Sequence, residues 1–385
     1  MRRTSLTVAV LAGAALCTGS AADAASWRTQ SVSDPSGATA TGLSGVACAG
    51  RSDCVTTGRR DGPSAVGSLA AVWNGGGWSL QSPSTPGGAL SDELVGVSCT
   101  GASACTAVGA YDAGSGAVPM AQRWTGSWTA QSAPVPVGAT SAQLTGVSCS
   151  SASACTAVGS YNDLSGTHTL AMRWSSGRWS IQTTPDPAAY TSLSGVSCDA
   201  SENCTAVGTT VGSGGPEAFV VARSGGTGTW TTETTPTVSG AGARFLSGVS
   251  CDSGGSCTAV GVSTDATTGD VSPLAVTRRS GTWSLTATPP LPSGAQGGSL
   301  SGISCASSAA SCTAVGSSYD SDFVVTPLAE DLAAGSWTAV APTLPTGATS
   351  GQLVASSCTA ALQCAAAGSY VDGNGDQRAL VALYR

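Results

Sequence analysis

Seven variants of one pattern run along the 385-residue chain, about 50 residues apart: Leu-x-Gly-Val-Ser-Cys, a gap of five or six residues, Cys-Thr-Ala-Val-Gly, and later a Gly-x-Trp strand. The opening leucines are Leu43, Leu94, Leu144, Leu193, Leu246, Leu300 and Leu353. The paired cysteines are Cys48/Cys54, Cys99/Cys105, Cys149/Cys155, Cys198/Cys204, Cys251/Cys257, Cys305/Cys312 and Cys358/Cys364. A unit of this length cannot bury its apolar face alone and must stack on its neighbours, so the chain folds as a repeat array or a propeller.

The third unit shows what each copy contains. Leu144–Cys149, Cys155–Tyr161, Thr169–Trp174 and Trp179–Thr184 are short, bounded by Gly, Ser or Pro, and free of any sustained 3.6-residue period. Val147 and Cys149 share one side of the first strand. Cys155, Ala157 and Gly159 share a side of the second, with Thr156 and Val158 opposite. Both faces are apolar or small, which suits a four-stranded sheet flanked on both sides by like sheets, the situation of a propeller blade.

The chain ends decide between ring and open array. The seventh unit stops at Ala379-Leu380-Val381-Ala382-Leu383-Tyr384-Arg385, the equivalent of a third strand, with no Trp strand after it. Trp27 and Gln30, followed by Pro35, match Trp78 and Gln81, Trp128 and Gln131, and Trp179 and Gln182 of later outer strands. If residues 26–35 supply the missing strand, pairing the two ends closes the ring and protects its sheet edges. The predicted fold is therefore all-β: a seven-bladed β-propeller over residues 26–385, four antiparallel strands and one disulfide per blade, closed by the N-terminal strand.

Residues 1–25 read as a secretory signal peptide: Arg2 and Arg3, an apolar run from Leu6 to Leu16, then Ala22-Asp23-Ala24. Loss of this segment removes Cys17 and turns 15 cysteines into an even set of seven local pairs, the pattern of a disulfide framework in an oxidising compartment. The expected location is extracellular, and no later apolar run is long enough to span a bilayer. Removing Arg2, Arg3 and Asp23 takes the net charge from −7 to −8, which argues against nucleic acid as a partner. The chain has no lysine and is rich in Ala, Gly, Ser, Thr and Val, the bias of a GC-rich coding sequence.

On this fold the cysteines staple the hairpin between the first two strands of each blade. A ring this short contributes about 2 kcal/mol per bridge in the chain-entropy account. The staples matter because the chain has only three Phe and three Met to fill its cores. Zinc is the competing use of paired cysteines, but it requires four ligands at one point and the chain holds a single histidine, His168. No metal and no cofactor is expected.

Alternating strands put the first–second and third–fourth connections on one face of the ring and the others on the opposite face. The first face carries the near-invariant cysteine hairpins and tight turns such as Thr125-Gly126-Ser127; the second carries segments that vary, such as Arg59-Arg60-Asp61-Gly62. Variable loops on a rigid scaffold are where binding usually resides. Four of them place a tyrosine close to an aspartate: Tyr111 with Asp112, Tyr161 with Asp163, Tyr319 with Asp320, and Tyr370 with Asp372. A tyrosine ring can stack on a sugar while a carboxylate accepts from its hydroxyls, and repetition round the ring would multiply weak contacts. The same residues also suit a strand end followed by a turn.

Three further motifs are incomplete. Asp372-Gly373-Asn374-Gly375-Asp376 opens like a calcium loop, but Gln377 stands where Gly is needed and Leu383 where the distal carboxylate belongs. The Gly-x-Trp turns resemble the end of an Asp-box, yet only Asp331, before Gly335 and Trp337, comes near the required acid, at the wrong spacing. A Ser-His-Asp triad must use His168, whose serine neighbours are commonplace in a Ser-rich chain.

With its Gly-Val-Ser-Cys and Cys-Thr-Ala-Val-Gly signatures, the chain over residues 26–385 resembles a family of secreted actinobacterial propellers with one disulfide per blade, and within it the lectin-like propeller subunits of umbrella toxin particles. The resemblance implies recognition of a carbohydrate or cell-surface ligand, without enzymatic activity, and secreted protein partners in a larger assembly directed against other bacteria. The repeated residues specify scaffold and the variable ones recognition, so two alternatives stay open: a glycan-active hydrolase, and a free-standing protein-interaction scaffold.

Overall fold

The computed structural model describes residues 26–384 apart from 64, 307, 341, 361 and 362; the signal-peptide reading falls outside the described residues. Twenty-eight strands form seven four-stranded antiparallel sheets, and within six of them the strands lie in chain order from the inside out. Blade 1 spans Ala40–Gly50, Asp53–Asp61, Val66–Trp73 and Trp78–Gln81; blade 2 spans Ser91–Gly101, Ala104–Asp112, Ala117–Trp124 and Trp128–Gln131. Blade 3 spans Ser141–Ser151, Ala154–Asp163, Gly166–Ser175 and Arg178–Gln182. Blades 4, 5 and 6 follow from Thr191, Ala241 and Gly297. Blade 7 takes Ser350–Ala360, Gln363–Val371 and Gln377–Tyr384 from the end of the chain and Trp27–Gln30 from its beginning. Trp27 pairs with Tyr384 and Gln30 with Val381, so the ring closes as the sequence predicts.

Each repeated residue has a mechanical reason. The inner strand of every blade carries a β-bulge just after its leucine, as between Leu94 and Gly96, which bends the strand at the axis. The glycine of Cys-Thr-Ala-Val-Gly faces that bulge: a Cβ at Gly109 would overlap the carbonyl oxygen of Glu93, and one at Gly159 that of Gln143. The longer inner strands, Ser141–Ser151 rather than Leu144–Cys149, come from ladder pairing that continues on both sides of the bulge.

The serine of Gly-Val-Ser-Cys joins neighbouring blades. The hydroxyls of Ser98, Ser148, Ser197, Ser250, Ser304 and Ser357 accept the amide N–H of Cys149, Cys198, Cys251, Cys305, Cys358 and Cys48 at 2.9–3.0 Å. Blade 1 has Ala47 at this position. At the rim, the indole N–H of Trp179 donates to Gln131 of the blade before it at 2.9 Å, and that of Trp230 to Gln182 at 3.2 Å, which explains why Trp and Gln recur together.

All seven cysteine pairs are disulfides across the inner hairpins: Cys48–Cys54, Cys99–Cys105, Cys149–Cys155, Cys198–Cys204, Cys251–Cys257, Cys305–Cys312 and Cys358–Cys364. Reading them only as hairpin staples is incomplete, because the two sulfurs of a pair sit in different surroundings. The first cysteine, on the inner strand, is half-buried. The second is a core residue: Cys54, Cys105, Cys155, Cys204, Cys257, Cys312 and Cys364 are all buried, one in each blade's apolar cluster. The second strand has a strand on either side of it and a neighbouring blade against its faces, so its cysteine fills space that a larger apolar side chain would otherwise take. These fourteen residues are therefore scaffold, the first of each pair joining two strands and the second filling a core. Seven such bridges favour an oxidising environment. Among the described residues no helix is long and apolar enough to cross a membrane.

Candidate functional site

The second strand of each blade runs outward from the cysteine hairpin and ends on the variable face, so the tyrosine-aspartate pairs all lie there. Their surroundings differ from blade to blade. Tyr111, half-buried against its blade's core, lines an open cleft of about 270 Å3 with Asp112, Asp92, Glu93, Arg59 and Gln143. The cleft is assembled from three blades: Arg59 lies near the end of the second strand of blade 1, Glu93 precedes Leu94 of blade 2, and Gln143 precedes Leu144 of blade 3. Its volume falls just below the usual range for small-molecule sites, about 300–1,000 Å3. Arg59, Val95 and Thr145 also line the axial cavity of about 470 Å3, so cleft and channel mouth are continuous.

The charges of this cleft are already organised. The Arg59 guanidinium donates to both oxygens of Asp61 at 2.9–3.1 Å, and that carboxylate, more than Glu93 beyond it, raises the guanidinium pKa. Glu93 accepts from Ser44 at 3.2 Å, and buried Asp92 accepts the amide of Ser68 at 2.9 Å. Asp112 caps its own turn by accepting the amide of Gly114 at 2.8 Å. One guanidinium thus faces several carboxylates, with an aromatic ring and an amide beside them.

Tyr161 of blade 3, half-buried like Tyr111, has a histidine beside it instead. Its ring lies against the imidazole of His168, centroids 5.0 Å apart, and burial, ahead of the neighbouring charges of Asp163 and Asp186, raises the phenol pKa. His168 sits between two carboxylates: Nε2 is 3.0 Å from Asp163 Oδ1, and Nδ1 meets Asp186 Oδ2. Ser165 Oγ is 2.9 Å from Nε2 and donates to Asp163 Oδ1 at 2.6 Å. Ser165, His168 and Asp186 therefore stand in the order of a hydrolytic triad, but the serine proton is committed to Asp163. The imidazole pKa is raised, first by Asp186 and then by Asp163, which favours the cation and weakens the ring as a general base. Asp163 is itself lowered to about 2, chiefly by the hydroxyl and amide of Ser165.

The remaining pairs are also covered or engaged. Tyr319 stacks on Phe323, centroids 5.9 Å apart and planes 14° off parallel, while Asp320 accepts the amides of Asp322 and Val324 at 2.9 and 3.0 Å. Tyr370 packs against the core of blade 7. Asp372 accepts the amides of Asn374 and Asp376 and the Nε–H of Arg378 at 2.9–3.1 Å, so the calcium-like run forms a turn whose carboxylate pKa is lowered first by the Asp376 amide. Arg378 reaches Asp34 as well, at 3.4 Å, fastening the N-terminal segment to blade 7. Asp331, the acid nearest an Asp-box, accepts from Thr313 at 2.6 Å.

Sequence reading missed Glu93 and Gln143. The available signal was the residue before each inner-strand leucine, which changes from unit to unit (Gly42, Glu93, Gln143, Ser192, Phe245, Ser299, Gln352) while the leucine does not.

No protein-family model and no curated protein sequence matches the chain. Solved propellers do match in structure. A polysaccharide lyase of family PL25, an ulvan lyase bound to -[GlcA(1-4)Rha3S]-, is 11% identical with a TM-score of 0.52, over 86% of this chain and 92% of that one. A protein of unknown function from Dyadobacter fermentans is 10% identical with a TM-score of 0.51, over 93% and 99%. The BP39L lectin from Burkholderia pseudomallei is 14% identical with a TM-score of 0.45, over 88% and 98%. At these identities the likeness is one of fold.

Proposed function

We propose that this chain is a secreted, non-enzymatic, lectin-like propeller that binds a carbohydrate on its variable face, through the cleft shared by blades 1, 2 and 3. The observation that carries the reading is the convergence of Tyr111, Asp112, Glu93 and Gln143 on one open cleft of about 270 Å3. The tyrosine offers an apolar ring face, the carboxylates accept from hydroxyls, and the amide does both. Because Arg59 is already bidentate on Asp61, the site favours neutral or amine-bearing sugars over acidic ones. The other pairs, Tyr161/Asp163, Tyr319/Asp320 and Tyr370/Asp372, are secondary sites in this reading.

Secretion is supported by the leader-like residues 1–25 and the seven disulfides. The role within this reading is that of the tip subunit of a secreted toxin particle, with the invariant cysteine face free to meet protein partners while the variable face meets a target surface. The test has two arms. Tag-free mature protein is titrated with neutral, amine-bearing and acidic oligosaccharides, and the tagged protein is recovered from its native culture medium. Saturable binding that Tyr111→Ala weakens supports the lectin reading, and turnover of a chromogenic glycoside replaces it with the hydrolase alternative. Recovery of a stoichiometric, very long secreted partner supports the particle reading; recovery of the propeller alone sinks it.

A further inference from the structure

We infer that His168 is a proton-operated clasp, tying the second–third hairpin of blade 3 to the segment that leads from blade 3 into blade 4. The geometry is that of one imidazole held between two carboxylates from different parts of the fold. Asp163 ends the second strand of the hairpin, and Asp186 lies in the connection beyond the outer strand, Arg178–Gln182. Nε2 faces Asp163 Oδ1 at 3.0 Å and Nδ1 faces Asp186 Oδ2. Only the imidazolium has an N–H for each carboxylate.

Loss of one proton breaks the arrangement whichever nitrogen keeps its hydrogen. If Nδ1–H stays on Asp186, the lone pair of Nε2 points at Asp163. Ser165 can then turn its hydroxyl hydrogen to Nε2, but only by withdrawing it from Asp163, where it now donates at 2.6 Å. Either way a carboxylate loses a donor and the attraction between a cation and two anions disappears. The charged groups facing the imidazole are Asp163 and Asp186, and Tyr161, tilted 32° against its ring, is the third titratable neighbour. The hairpin and the connection are otherwise joined by few bonds: the Thr167 amide donates to Ala189 at 2.9 Å, and the Thr169 hydroxyl lies 2.8 Å from that of Thr184 and 3.1 Å from the carbonyl of Pro185. Asp186 lies within this span, so His168 supplies its one protonation-dependent tie. His168 is also the only histidine in the chain, and histidine is the side chain whose unperturbed titration falls between pH 5 and 8.

The sign follows from linkage. The folded-state pKa is raised above the ordinary 6.5, so the clasp is fully formed below pH 6.5 and is lost as pH rises through the folded-state value. A single histidine gives a single imidazole Cε1–H resonance, so tag-free protein can be titrated by NMR without assignment. The expected midpoint lies above 6.5 and falls toward it in Asp186→Asn and in Asp163→Asn. The protection factor of the peptide covering residues 186–190, which is exchange corrected for its intrinsic rise with pH, is expected to fall several-fold across that midpoint in the wild type. In His168→Gln it is low at both pH 5.5 and pH 9. A wild-type midpoint at or below 6.5, a midpoint unmoved by Asp186→Asn, or exchange that matches between wild type and His168→Gln at pH 5.5 would each overturn the clasp. Should His168→Gln fail to fold, the wild-type titration and its shift in Asp186→Asn still decide.

Discussion

Blades 2 and 6 carry the same elements in the same places and put them to different ends. Each closes its second strand with tyrosine and aspartate, and each has a fully buried polar side chain at the same point of its third strand: Gln122 opposite Ala107, and Glu330 opposite Ala314. In blade 2 the tyrosine lines a cleft, and Gln122 is satisfied at both ends by one residue, accepting the Ser84 amide at 2.8 Å and donating to the Ser84 carbonyl at 2.7 Å. In blade 6 Phe323 covers the tyrosine. Glu330 is 0% exposed, and neither of its oxygens has a hydrogen-bond partner among the described residues. The stretch from blade 5 into blade 6 reads Thr288-Pro289-Pro290, and proline offers no N–H. Burial, aided by Asp331, consequently pushes the Glu330 carboxyl up to about 8. The same backbone position is a solved problem in one blade and a liability in another, depending on a connection that the repeat does not fix.

The largest effect is expected from removing that liability. The folded chain keeps Glu330 protonated up to about pH 8 while the unfolded chain releases its proton near the ordinary 4.5. Stability is therefore undiminished by this group below about pH 4.5, falls as pH rises toward 8, and is level above. By pH 7 the loss is on the order of 3 kcal/mol. Glu330→Met, which installs the residue that blade 3 has at this point, Met172, should recover most of it, and urea unfolding at pH 5 and pH 8 should show a flatter pH dependence. A variant with unchanged slope would break the comparison.

The converse exchange sharpens it. Gln122→Glu should be tolerated at pH 4.5, where a neutral carboxyl can still accept from and donate to Ser84. It should cost about 1–3 kcal/mol at pH 8, where a buried charge would face the Ser84 carbonyl. Next in size is ligand affinity: Tyr111→Ala should weaken glycan binding about tenfold or more by calorimetry, about 1.4 kcal/mol, whereas Tyr319→Ala, at a secondary site, should weaken it far less. Equal losses would show that the cleft is not what distinguishes the two blades. Phe323 is 79% exposed, and Phe323→Ala should shift stability by less than about 0.5 kcal/mol, as surface substitutions do. The smallest useful gain is Ala47→Ser, which gives blade 1 the inter-blade hydroxyl that the other six possess and should add about 0.5–1.5 kcal/mol.

The scaffold was legible in the sequence because every blade solves the same packing problem with the same residues. Leu, Gly, Ser, Cys and Trp recur where a bulge, a close backbone approach, an inter-blade bond, a staple and a rim contact recur. The absent last strand was legible for the same reason, since Trp27 and Gln30 complete a count. The second role of the bridges was not legible: spacing pairs Cys105 with Cys99, but only the packing of neighbouring blades makes Cys105 a core residue. The candidate site was legible only in part. Tyr111 and Asp112 stood out as a repeated pair, but so did Tyr161 and Tyr319, and nothing in the pair says which ring is covered.

What the sequence determined by itself is the periodic part of the molecule: seven blades, seven bridges and the closure of the ring, each dictated by short-range pattern and by the need to bury two faces of every sheet. What only the tertiary structure decided is which side chains meet across blades. Arg59, Glu93 and Gln143 come together at the rim of the axis, Asp186 reaches His168 from a separate connection, and Ser84 answers Gln122 while Glu330 has no hydrogen-bond partner among the described residues. These contacts depend on the path of variable connections over a fixed ring, and a repeat carries no information about the places where its copies differ.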